Sequence, residues 1–141
     1  MVTVYDVEPN KLIEKAAEKL EKEVKVENPE WLKYVKSGSF AERRPEQKNF
    51  WYLRMASILR KYYVNGKTGV NNLRDHYGGR KNRGRKPDRH AKAGGAIIRR
   101  SIQALEKHGF LKKEKVGRLI TAKGQALLDN AANDVAKGGK N

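Results

Sequence analysis

Cysteine is absent from the chain. Its absence excludes disulfides, cysteine-held zinc and thiol catalysis, and it suits a reducing compartment or a heat-adapted protein. Long apolar runs are missing too. No stretch approaches the roughly 18 residues of a membrane-spanning helix, and no apolar signal-peptide core follows Met1, so a soluble, cytoplasmic protein with no membrane contact is expected. Acidic residues are scarce in one part of the chain only. Residues 1–42 carry nine acidic and seven basic groups, whereas residues 43–141 carry seven acidic against 25 basic.

What is present follows from that imbalance. The net charge is +16 and the pI is about 10.1. Self-repulsion on this scale stresses a compact state, and a polyanion is the simplest compensation. At 141 residues, with 38% hydrophobic residues, the chain is the size of one domain and apolar enough to form a core. A single domain over 1–141 is expected, with a frayed tail at 137–141.

Periodicity places the elements. "NKLIEKAAEKLEKE", from Asn10 after Pro9, puts Leu12, Ala16 and Leu20 with Ile13, Ala17 and Val24 on one stripe of an amphipathic helix. "NPEWLKYVKSGS" predicts a short helix with Asn28 as N-cap, Pro29 at its first position, and Trp31, Leu32 and Val35 facing inward. "FAERRPEQKN" is irregular, and Pro45 is expected to open the next helix. In "NFWYLRMASILRKYYVNG" the residues Trp51, Tyr52, Met55, Ala56, Ile58, Leu59, Tyr62 and Tyr63 cover about half a helical circumference. A helix apolar over so wide an arc is surrounded by other elements, so this is the central helix, closed by Gly66. Thr68 is expected to cap a short helix through Tyr77. "GAIIRRSIQALEKHGF" is amphipathic, with Ile98, Ile102 and Leu105 inward and Arg99, Arg100, Gln103 and Lys107 outward. Phe110–Glu114 and Arg118–Thr121 read as two strands about a turn at Val116–Gly117, and Thr121 caps a last helix.

The order of helix, glycine-containing loop, helix, β-hairpin and helix is that of a winged helix-turn-helix. The fold class expected is mainly α: a winged-helix-like domain around a central amphipathic helix, with one small β-hairpin as the wing. Its unusual part is "YGGRKNRGRKPDRHAKAGG", Tyr77–Gly95, in which seven of nineteen residues are Lys or Arg, five are Gly and only Asp88 is acidic. This basic, Gly-rich loop at 78–95 has nothing to pack in a core. Arg80, Lys81, Arg83, Arg85, Lys86, Arg89 and Lys92 can meet phosphates, and glycine admits close backbone approach. A solvated charge run is the alternative reading of that loop. Arg99 and Arg100 are either a second polyanion-facing surface or the solvated face of their helix. Arg54, Arg60 and Lys61 form a cationic strip on an otherwise buried helix and need a phosphate or an internal carboxylate.

Catalytic and metal chemistry find no such pattern. His76, His90 and His108 lack metal-ligand spacing, Asp75 and His76 do not face each other on a helix, and no phosphate loop or dinucleotide fingerprint is present. No enzyme activity, metal or cofactor is expected. The aromatics Trp51, Tyr52, Tyr62 and Tyr63 sit at helical spacing and are read as core.

Taken together, "NFWYLRMASILRKYY", "GVNNLRDHYGGRKNRGRKPDRHAKAGG", "IIRRSIQALEKHGFL" and "GRLITAKGQALL" resemble the archaeal and eukaryotic small-subunit ribosomal protein S19e family, over Tyr5 to about Ala136. The short ends and high charge resemble archaeal members. The resemblance implies a helical, winged-helix-like structural component of the small-subunit head, bound to ribosomal RNA and beside neighbouring ribosomal proteins. It implies a role in small-subunit maturation, and a monomer when free. It also implies RNA-facing positions at Arg54, Arg60, Lys61, Arg80, Lys81, Arg83, Arg85, Lys86, Arg89, Arg99 and Arg100. A winged-helix DNA-binding regulator is the competing function, since the wing half of the sequence suits both.

Overall fold

A computed structural model describes residues 2–25, 29–41, 43, 45, 49–115 and 117–138, with the side chains of 23, 24, 32 and 33 left aside. The expected N-cap Asn28, the inward side chains of Val24 and Leu32, turn residue Val116 and the tail beyond Gly138 lie outside the described residues. Helix α1 spans Pro9–Lys19 and continues as a π-helical turn, Leu20–Val24, that ends on Lys25 in the left-handed region at φ 57°. A 3-10 helix covers Glu30–Tyr34. Then come α2, Phe50–Asn65, and α3, Val70–His76. Strands β1, Gly79–Arg83, and β2, Lys86–Ala91, precede α4, Gly95–Lys107. Strands β3, Leu111–Lys113, and β4, Arg118–Ile120, lead into α5, Ala122–Gly138.

Helix α2 is the centre. Phe50, Trp51, Tyr52, Met55, Ala56, Ile58, Leu59 and Tyr62 are buried, half of its sixteen residues, and α1, α4, α5 and β4 all pack on it. Each large side chain so buried contributes about 1.5–3 kcal/mol, which makes this helix the main source of core stability. Its buried polar atoms are met unevenly, since Trp51 Nε1 and Arg60 Nε find no hydrogen-bond partner among the described residues. The fully buried Tyr62 donates its hydroxyl to the Thr68 carbonyl at 2.8 Å, and Trp51 meets Trp31 edge-to-face at 5.9 Å. Outer helices are pinned by Lys19–Asp134 at 2.9 Å, between α1 and α5, and by Tyr63 donating to Asp129 at 2.9 Å.

The winged-helix order is present: α2, α3 and α4, then the antiparallel β3–β4 wing with Leu111 opposite Ile120 and Lys113 opposite Arg118. Arg118 on β4 is paired with Glu106 on α4, which ties the wing to the helix before it. Thr121 donates to the Gly109 carbonyl at 2.6 Å and accepts from the Gly124 amide, so it caps α5 as the sequence indicates.

Four expectations are corrected. The segment after Asn28 winds as a 3-10 turn, Glu30–Tyr34, not an α-helix. Pro45 is not helical, and α2 begins only at Phe50, with Asn49 at its N-cap. Thr68 does not cap α3. Gly69 takes that place, because Thr68 is drawn into a β-bridge with Arg118 and its hydroxyl turns back to the Gly66 carbonyl. Finally, the fold has two hairpins rather than one. The stretch read as a basic loop is paired, β1 against β2, between α3 and α4.

Two substitutions test the packing. A Cβ at Gly124 would lie 2.6 Å from the Phe110 carbonyl oxygen and 2.8 Å from Ile120 Cγ1. Gly124→Ala is therefore expected to lower stability by about 1–3 kcal/mol, although alanine is the better helix former; the midpoint of urea unfolding reads it. The second is Phe40. Its ring lies over Gly38 and Gly79, where added Cβ atoms would fall 2.5 and 2.9 Å from it. Phe40→Ala is expected to speed amide exchange in β1–β2 and leave α2 protected; equal acceleration in both would contradict a local anchor.

Candidate nucleic-acid interface

The β1–β2 hairpin is built by its small residues. Gly78 has no room for a side chain, since a Cβ would sit 2.2 Å from the Ala91 carbonyl oxygen. Gly84 turns the chain at φ 74°, and its amide donates to Asn82 Oδ1 at 2.9 Å, an Asx-type turn. The register shifts between Lys81 and Arg83. Pro87 sits in a strand of a two-stranded sheet, where one edge is always open and a missing donor is tolerated. At the base, the Ala93 amide donates to the Arg74 carbonyl at 2.8 Å and the Gly94 amide to the Ser37 carbonyl at 2.8 Å. Arg74 Nε returns a bond to the Ala93 carbonyl at 2.9 Å.

Pairing register sorts the charges onto two faces. Arg80 lies opposite His90; on that face Arg80 is paired with Asp88 at 2.5 Å, and His90 Nε2 bonds Asp75 on α3 at 3.1 Å. Lys81 lies directly opposite Arg89 on the other face, with no carboxylate partner for either among the described residues. Like charges placed opposite each other destabilise a strand pair, by analogy with the 0.2–1 kcal/mol that opposite charges contribute. Arg83 ends β1, Arg85 occupies the turn and Lys86 opens β2. The hairpin therefore carries one internally neutralised face and one cationic face with a cationic tip.

The strip on α2 is half-buried. The Arg54 guanidinium carbon stands 4.1 Å from the Tyr77 ring centroid and 5.2 Å from that of Phe50, a cation–π arrangement. Burial lowers its proton affinity below that of a free arginine, and no carboxylate offsets this. Tyr77 shares a 2.5 Å hydrogen bond with Ser57; burial pushes its phenol up, while the Ser57 bond and then Arg54 and Arg60 pull it back. The His76 imidazole is held below its ordinary value, first by burial and then by Lys61 and Arg54. Arg60 Nε is buried without a hydrogen-bond partner. Arg54, Arg60, Lys61, His76 and Tyr77 thus form one cationic neighbourhood at the α2–α3 junction, and Tyr77 leads directly into the hairpin.

Lys92 is exposed past the end of β2, and Arg99 and Arg100 are exposed on α4, opposite buried Ile97, Ile98, Ile102 and Leu105. Among the described residues no hydrogen bond or ion pair joins them to the α2 strip or to the hairpin. Sequence reasoning missed Phe40 and Arg74, which hold the hairpin base, and Tyr77 as a partner of Arg54. Only Arg74, in the last turn of a helix beside the loop, carried a signal. It also left out Lys112, Lys113 and Lys115, exposed on the wing. Among the described residues no group of three or more His, Asp or Glu is disposed to hold a metal, and no helix is long and apolar enough to cross a membrane.

Comparison with known proteins agrees over almost the whole chain. The family model for ribosomal protein S19e matches residues 3–138. The chain is similar to the small ribosomal subunit protein eS19 of Haloarcula marismortui, at 44% identity over 96% of this chain and 92% of that protein. It is similar also to eS19 of Thermoplasma acidophilum, at 40% over 97% and 91%, and to eS19 of Oryza sativa, at 39% over 94% and 92%. With matches of this length in archaea and in a plant, and a winged-helix order interrupted by one glycine-anchored basic hairpin, the chain belongs to the ribosomal protein S19e family.

Proposed function

We propose that this protein is a structural constituent of the small ribosomal subunit, held in the head by contact with ribosomal RNA and adjacent ribosomal proteins, and that it assists maturation of the subunit in the cytoplasm. The single observation that carries the RNA contact is the β1–β2 hairpin, where Lys81 faces Arg89 with no carboxylate partner for either among the described residues and Arg83, Arg85 and Lys86 cluster at the tip. A prefolded surface of this kind is matched by a phosphate backbone, which replaces mutual repulsion with charge-assisted hydrogen bonds. The family match and the relatives named as small-subunit proteins support the assembly. The half-buried Arg54, Arg60 and Lys61 and the exposed Lys92, Arg99 and Arg100 spread the cations over α2, α4 and the end of the hairpin rather than one element, which suits recognition of folded RNA by shape. The protein acts on this reading as a binding component, with no cofactor and no catalytic step.

The alanine triple variant Arg83→Ala, Arg85→Ala, Lys86→Ala tests it. Removing one phosphate-binding cation is expected to lower the slope of log affinity against log salt by up to about 0.7–0.9 in magnitude. The melting temperature should hold, since these side chains pack against nothing in the core. Binding to small-subunit ribosomal RNA is measured across a salt series, and the variant is followed by sedimentation of ribosomal particles at high salt. An unchanged slope together with undisturbed co-sedimentation would reject the hairpin as the site of RNA contact.

A further inference from the structure

Between α1, α2 and the end of α3 lies an open cleft of about 350 Å³, at the small end of the range for ligand clefts. Two of its lining residues carry opposite charge, Arg54 from α2 and Glu14 from α1. They form no ion pair with each other, and neither has a carboxylate or ammonium partner among the described residues. The Arg54 guanidinium carbon lies over the Tyr77 and Phe50 rings, and among the described residues none of its five N–H donors makes a hydrogen bond. A half-buried cation with open donors and an open carboxylate thus share one pocket, walled by the apolar Ile13 and Leu53. A phosphate does not fit this pattern, because Glu14 would repel it.

We infer that the cleft binds a single unstacked guanine of the RNA, with Arg54 donating to its O6/N7 edge and Glu14 accepting from its N1 and N2 hydrogens. Guanine alone among the four bases has two adjacent acceptors on one edge and two adjacent donors on the next, matching a planar fork at one side and a carboxylate at the other. The aromatic pair and Leu53 supply apolar surface for the ring. Tyr77, whose ring lies beneath the Arg54 guanidinium, lines the cleft and is joined through Gly78 to the hairpin, which makes the cleft a neighbour of the hairpin in the chain. The inference rests on the RNA-binding function proposed above, and it separates one base contact from the surrounding phosphate contacts.

The sign of one charge change discriminates. Glu14→Gln makes the protein more positive, so a purely electrostatic surface would bind RNA at least as well. Guanine recognition predicts instead an affinity about tenfold or more weaker, with the salt slope unchanged. Arg54→Lys keeps the charge but not the fork, and is expected to weaken binding to a similar degree, also without a change of slope. Glu14 is exposed, so its variant keeps the test sound if Arg54→Lys melts early. Small-subunit RNA substituted with 6-thioguanosine should photocrosslink to the peptides containing Leu53 or Tyr77, and RNA substituted with 4-thiouridine should not. Wild-type or tighter binding by Glu14→Gln overturns the proposal while salt-dependent RNA binding still stands. Crosslinks from 4-thiouridine alone, or from free 6-thioguanosine monophosphate but not from RNA, overturn it too. Failure of the wild-type protein to bind RNA at all rejects the RNA-binding function itself, and this proposal with it.

Discussion

Burial of α2 on several sides governs the rest of the molecule. Once α1, α4, α5 and β4 cover the arc from Trp51 to Tyr62, the cations of this helix are confined to the strip those elements leave half-covered. That strip holds Arg54, Ser57, Arg60 and Lys61. Its position is set by the core, so its cations are carried on the most rigid element available rather than on a loop. The cost is desolvation: Arg54 lies against the Tyr77 and Phe50 rings, and Arg60 Nε has no hydrogen-bond partner among the described residues. Structural charges of this kind are ordinarily answered by an acid. None answers them among the described residues, and an uncompensated cation on a buried scaffold is a surface shaped for an anion or an acceptor from outside.

The hairpin applies the same logic to an exposed element. Its alternating register separates the Arg80–Asp88 pair and the His90–Asp75 tether from the Lys81–Arg89 confrontation. One face fixes the hairpin to α3, and the other is left repulsive. Glycine makes this possible at two points, Gly78 against the Ala91 carbonyl and Gly79 beneath Phe40. A side chain at either place would prise the hairpin from its base. Backbone contacts from residues 37 and 38 to 93 and 94 then close the base without using any of the cations.

Much of this is legible in the residues. The wide apolar arc of Trp51, Met55, Ile58 and Tyr62 identifies the central helix, because helical periodicity over sixteen residues leaves little ambiguity. Thr121, Gly66 and the wing follow from local chemistry. The β1–β2 hairpin does not, because strand signals are apolar alternation and β-branched residues, and "GRKNRGRKPDRHA" has neither; its pairing comes from the Asn82–Gly84 turn and from Phe40, nearly forty residues earlier. Thr68 looks like a cap because its sequence neighbours fit one, but a tertiary bridge to Arg118 takes its backbone. The Arg54–Tyr77 stack is equally invisible, since it joins residues on two helices whose crossing no local pattern records. The cations of the α2 strip and the hairpin stand out in the sequence; which of them are neutralised depends on pairing register, and only the structure supplies that.

That difference changes the energetics of binding. An unstructured basic loop that orders on RNA loses about 1–2 kcal/mol of backbone entropy for each residue fixed, a sum over 79–91 that would offset most of what its phosphate contacts gain. A hairpin already paired and anchored by Phe40, Arg74 and His90 has met that cost in folding, so it lowers the stability of the fold rather than the affinity. The repulsion between Lys81 and Arg89 is then not a flaw to be relieved by internal pairing. Supplying an acid on that face would stabilise the free protein and weaken its attraction for phosphate by the same interaction, so on the proposed function the stability forgone at the hairpin is what a bound anion would recover.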